Sequence, residues 1–142
     1  MSTARIRLAA EAAVRLLVAR ASLQILSFEK AVQGLGSFSP SGSDQELDAW
    51  RPADVDTALA VGWAVRAAAR RMPFEANCLP QAMAAQAMLR RRGVAALLYL
   101  GAAPDGAGGM GAHAWLDAAG VGVTGYPVSP QLRKLGCFVR PV

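Results

Sequence analysis

Gly93 splits this chain by period: residues before it place apolar side chains at helical spacing, and residues after it fall into short apolar runs separated by turns. Helices first and strands last is the order of an α+β domain, N-terminal helices packed on a short antiparallel sheet. Ser2 or Thr3 caps a helix spanning Arg5 to Leu23, in which Ile6, Ala10, Ala13, Leu17 and Ala21 lie three to four residues apart. Val14, Val18 and Ile25 widen that stripe. Pro52 suits the first turn of a second helix running to Arg71, with Asp54 and Asp56 at its acidic start and Arg66, Arg70 and Arg71 at its basic end, and Met72-Pro73 stops it. A third helix has Asn77 as its N-cap, tolerates Pro80 in a first turn whose amides have no intrahelical acceptor, and ends at Gly93.

The stretch from Gly34 to Asp48, rich in Gly and Ser and containing Pro40, reads as an exposed linker or mobile loop. Strands are expected at Val94 to Leu100, Met110 to Asp117, Val121 to Thr124 and Cys137 to Arg140. Asp105 to Gly109 is a flexible connection and Ala118-Ala119-Gly120 a tight return. A length of 142 residues fits one domain, with a helical part over 1–72 that contains loop 34–48, and the third helix plus sheet over 73–142.

Composition narrows the class. The apolar fraction of 54% comes largely from alanine, and no run of ~18 apolar residues occurs, so no transmembrane segment is expected. Arg5, Arg7 and Glu11 interrupt the opening, which does not read as a signal peptide, and the expected location is the cytoplasm, where both cysteines stay reduced. Cys78, Cys137 and the single histidine lack the close ligand pairs of a metal site, and no cofactor motif is found. A net charge of +5 favours acidic partners, yet the arginines sit at helix ends and aromatic residues do not interleave with them, which argues against nucleic acid.

Chemistry concentrates in two places. Cys78 lies in the first turn of the third helix, against unpaired backbone N–H groups and the positive end of the dipole, a setting that suits an anionic sulfur. The chain's one histidine, His113, lies on the expected second strand, positioned to take the thiol proton. A thiol and an imidazole so arranged perform acyl transfer through a thioester. Strand alternation puts His113, Trp115 and Asp117 on one face and Ala112, Ala114 and Leu116 on the other, so the polar face is expected to meet the Cys78 helix. Trp115 is core or a wall beside the substrate, Asn77 and Gln81 flank the nucleophile as substrate contacts, and Cys137 is buried packing.

Cys-Leu-Pro-Gln-Ala from Cys78, a helix ending Leu-Arg-Arg-Arg-Gly, a hydrophobic strand ending at Gly101, and then His-Ala-Trp-Leu resemble the leader-peptidase B proteins of lasso-peptide biosynthesis. These belong to the transglutaminase-like branch of the papain-type cysteine enzymes. The arginine- and alanine-rich opening followed by Phe28-Glu29-Lys30-Ala31-Val32-Gln33-Gly34-Leu35-Gly36 is similar to that family's beginning. The resemblance implies a small transglutaminase-like fold and a cysteine protease that removes the leader from a lasso-peptide precursor, with Cys78 as nucleophile and His113 as base and then acid. It also implies partners: the precursor peptide, a separate leader-recognition protein and the macrocycle-forming synthetase.

The chain departs from the family at the third catalytic position, where Val121-Gly122-Val123-Thr124-Gly125 has glycine in place of the usual aspartate. A hairpin closing at Ala118-Ala119 sets Thr124 opposite His113, with its hydroxyl on the imidazole. Asp117 is the alternative, although four residues of strand span about 13 Å and a bulge is then required; Asp105 reaches only if the glycine loop folds back. Two rival readings stay open: a non-catalytic peptide-binding subunit, motivated by the missing acid, and a transglutaminase-like peptide amidase or acyltransferase that keeps the same Cys/His pair.

Overall fold

The computed structural model describes residues 2–27, 30–31, 33–40 and 50–139. They form three long helices, α1 (Thr3–Ile25), α2 (Pro52–Ala69) and α3 (Cys78–Arg91). Five strands follow or intervene: β1 (Ser37–Pro40), β2 (Ala96–Pro104), β3 (Met110–Ala118), β4 (Val121–Thr124) and β5 (Arg133–Val139). The strands make one antiparallel sheet in the order β1-β5-β2-β3-β4, so the fold is the α+β arrangement expected.

Local chemistry sets the helix ends. Ser2 Oγ accepts from the Arg5 amide at 3.3 Å to start α1. Pro52 opens α2, and Asp54 reaches back to accept from the Arg51 amide at 3.0 Å. Past the end of α3, Gly93 takes φ +73°, a left-handed value that glycine adopts without a Cβ penalty. Leu16, Val61, Val65, Met88, Leu89, Leu98 and Leu116 are buried between the helices and one face of the sheet. Glu11 of α1 receives Arg91 at 3.0 Å and Arg92 at 2.7 Å, tying the first helix to the end of the third.

The expected loop 34–48 proves partly structured. Gln33–Leu35 is a 3-10 turn, and β1 pairs with β5 from Ser37↔Val139 to Pro40↔Gly136; residues 41–48 lie outside the described residues, as do Phe28, Glu29 and Val32. An edge strand needs only a backbone ladder and one good cross-strand pair, here Phe38 against Phe138 with ring centroids 4.9 Å apart. Strands β2 and β5 also run longer than their apolar cores, β2 through Pro104 and β5 from Arg133. The ladder carries them through residues of weak strand preference. Gly101 earns its place by contact: a Cβ there would stand 2.9 Å from both Leu132 Cγ and Trp115 Cζ3.

Candidate active site

The site forms where α3 begins against β3. Asn77 is the N-cap with extended backbone, and its side chain makes no capping hydrogen bond. Gln81 donates its amide to Asn77 O at 3.2 Å, the first helical bond, and Pro80 has no N–H. The amides of Cys78 and Leu79 therefore have no acceptor within the helix. Cys78 is partly exposed, and its Sγ accepts from the Ala114 amide at 3.4 Å, one residue beyond His113.

That contact corrects the expected facing. Ala114, Leu116 and Ala118 belong to the core shared with the helices. His113 and Trp115 lie on the opposite face, where the Trp115 ring stacks on His113 at 6.1 Å and on Tyr99 at 5.3 Å. Alternation was right, but the alanines and leucine, not the polar residues, fill the helix side. Cys78 consequently meets β3 at its backbone, through the Ala114 amide. The β3–β4 ladder covers only Leu116, Asp117 and Ala118, leaving the edge of β3 before Leu116 unpaired by β4.

His113 Nε2 lies 2.7 Å from Gly125 O. The hairpin turns at Ala119 (φ +51°) and Gly120 (φ +72°), pairing Ala118 with Val121, and a bulge then sets Thr124 opposite Leu116. The expected Thr124–His113 pairing is thus displaced by three residues on β3. Thr124 is 2% exposed and its Oγ1 has no hydrogen-bond partner, so its hydroxyl does not hold the imidazole. Asp117 does not hold it either: it accepts from the Tyr126 hydroxyl. Burial pushes the Asp117 carboxyl up, against the Tyr126 bond and nearby Lys134, and burial followed by Asp117 raises the Tyr126 phenol. Asp105 instead accepts from Ala107 and Gly109 within its own loop.

The residues predicted around the thiol divide. Gln81 Nε2 donates to Ala76 O at 2.7 Å and lines a cavity of about 330 Å3 with Arg66 and Arg70, while Asn77 is exposed. Trp115, 8% exposed, is a packed ring rather than an open wall. Cys137 is buried, and burial raises its thiol. A second cleft, about 230 Å3, runs from His113 past Ala112 and Gly111 to Pro127, Ser129 and Leu132. Sequence reasoning missed Gly125 as a partner of His113. The only signal for it was a glycine closing the strand after the histidine, which carries no side-chain chemistry to notice.

Beneath the site, Gly62 of α2 lies so close to β4 that a Cβ would come within 2.8 Å of Val123 O. Arg66 Nη1 donates to that same carbonyl at 2.8 Å. Arg66, placed by the sequence at a basic helix end, is therefore a clamp on β4, and Arg91 and Arg92 are likewise occupied by Glu11. Among the described residues, no three His, Cys, Asp or Glu side chains gather as a metal site, and no helix is long and apolar enough to cross a membrane.

The described residues thus form a three-helix, five-strand antiparallel α+β domain with a cysteine at a helix start against the strand that carries the histidine. The model of the transglutaminase-like superfamily matches residues 22–135, and the chain belongs to that superfamily, which includes cysteine proteases and acyltransferases. No curated protein and no solved structure matches the chain.

Proposed function

We propose that this chain is a cysteine peptidase that removes the leader from a lasso-peptide precursor. The observation that carries the enzymatic part is the hydrogen bond from the Ala114 amide to Cys78 Sγ, which seats the thiol one residue from the only histidine. Superfamily membership supports thiol chemistry, and the Cys-Leu-Pro-Gln-Ala and His-Ala-Trp-Leu segments support the lasso-precursor substrate through their resemblance to the leader peptidases.

In this reading the imidazole takes the Cys78 proton as the sulfur attacks the scissile carbonyl. The open Cys78 and Leu79 amides lie at the helix start as donors for the oxyanion, each such donor contributing about 3 kcal/mol in comparable enzymes. The imidazolium returns its proton to the leaving amine as the C–N bond breaks, and water activated by His113 then hydrolyses the thioester. The precursor is delivered by a separate leader-recognition protein, and the trimmed product passes to the macrocycle-forming synthetase.

Incubating precursor, recognition protein and this chain, with mass spectrometry of the products, tests the reading. Cys78→Ala and His113→Ala should each lose cleavage by a factor of about 100 or more, with folding retained. Near-normal cleavage by Cys78→Ala would end the peptidase reading. An unreactive Cys78 thiol would favour the peptide-binding subunit, and an amidated or deamidated product the acyltransferase.

A further inference from the structure

We infer that the backbone carbonyl of Gly125 is the positioning group for His113, the element that fixes which imidazole nitrogen works on Cys78. This rests on the thiol–imidazole reading above and deepens it. A carbonyl only accepts, so the 2.7 Å contact requires a proton on Nε2. The neutral ring is then the Nε2–H tautomer, and Nδ1 holds the lone pair that receives the thiol proton. When Nδ1 takes that proton from Sγ and later gives it to the leaving amine, the Nε2–H bond to Gly125 stays intact, so the ring neither flips nor changes tautomer during turnover.

The chain is built to deliver this carbonyl. Gly125 has φ +83°, and a Cβ there would lie 2.7 Å from Trp115 Cα and Cβ, so both the conformation and the approach to β3 demand glycine. Strand β4 ends one residue earlier, at Thr124, and is held from below by Arg66 on Val123 O. Trp115 stacks on the other flank of the imidazole, leaving the ring plane set by two neighbours. In the stretch that lacks the usual acid, Gly125 thus supplies an acceptor from its main chain. It orients the ring without bringing a negative charge.

The composition makes a direct test available. His113 is the only histidine, and of two tyrosines only Tyr126 follows a glycine, so 15N-histidine labelling isolates this imidazole and 13C′-Gly/15N-Tyr labelling isolates the Gly125 carbonyl. The expected spectrum of the full chain shows the proton on Nε2 in the neutral ring, and a Gly125 carbonyl shift that moves with imidazole titration. An Nδ1–H tautomer, or a Gly125 carbonyl indifferent to the titration, overturns the proposal. Gly125→Ala should lower kcat about 100-fold with KM little changed, the signature of a displaced base rather than a lost binding surface. Should that variant not fold, the labelled wild-type chain still decides. Failure of the peptidase reading is separately visible: a Cys78 inert to thiol reagents rejects that chemistry while the spectrum reports on the carbonyl contact alone.

Discussion

Thr124 and Asp117 are the two side chains the sequence nominates to orient His113, and the structure gives each a different occupation. A buried hydroxyl without a partner costs about 1–3 kcal/mol, so Thr124→Val, which keeps the shape, should raise stability by about 1 kcal/mol and leave turnover unchanged. Asp117→Asn keeps an acceptor for Tyr126 while removing a carboxyl that burial raises. A raised carboxyl contributes stability below its unfolded value that is lost as pH rises through the folded value, so Asn should hold or improve stability at neutral pH. Thermal melts with parallel cleavage assays check both variants; a selective loss of turnover in Thr124→Val would return the orienting role to the hydroxyl. Cys78 and His113 can be nominated from sequence because their chemistry is in their side chains. The Gly125 contact cannot, since a main-chain acceptor is written only in φ and in the register of a bulged hairpin.

Among the elements, the helix ends follow the sequence closely because their signals are local: Ser2, Pro52, Asn77 and Gly93 mark starts and a stop within a residue or two. The face of α1 does not follow: Ile6, Val14, Leu17, Val18 and Ile25 of the expected stripe are exposed, and Ala12, Leu16 and Ala19 are buried instead, because the small alanines let the helix approach its neighbours on that side. Strand β4 matches its apolar run, whereas β1 and the ends of β2 and β5 depend on partners far along the chain and leave little trace in composition. Two arginine contacts between elements yield measurable outcomes. The Arg92 guanidinium holds the Glu11 carboxyl below its ordinary value of 4.5, against desolvation. A lowered carboxyl gives stability that is present above the unfolded value and lost as pH falls through the folded one. Glu11→Gln should therefore cost about 1 kcal/mol at neutral pH and flatten the acid limb of a stability–pH curve, read by urea titration. Arg66→Met removes the donor to Val123 O and should lower cleavage rate more than stability, because β4 leads directly into Gly125. Equal activity in the two proteins would show that β4 is held well enough by its ladder.

At the scale of the whole molecule, the net charge of +5 is spread over arginines in different settings. Of the arginines at the ends of α2 and α3, Arg66, Arg91 and Arg92 are engaged within the fold, and Arg70, Arg71 and Arg90 have no ion-pair partner among the described residues. If these steer an acidic precursor complex, raising salt from about 50 mM to a few hundred mM shortens screening from roughly 14 Å to below about 8 Å. Cleavage at low precursor should then slow while the saturated rate holds, and replacing Arg70 and Arg71 by glutamine should reproduce the effect. Insensitivity to both would assign docking to apolar contacts, for which Val14, Leu17 and Val18 on the exposed side of α1 are placed. The pairing of β1 with β5 carries a different consequence. It joins Ser37 to Val139, about 100 residues apart, and encloses the last two helices and the rest of the sheet in one closed loop of chain. Closing such a loop is entropically expensive, and it gains nothing until β2, β3 and β5 already stand together. The last ladder to zip is then the one nearest the start of the chain, so a nascent polypeptide must present β5 before β1 is held.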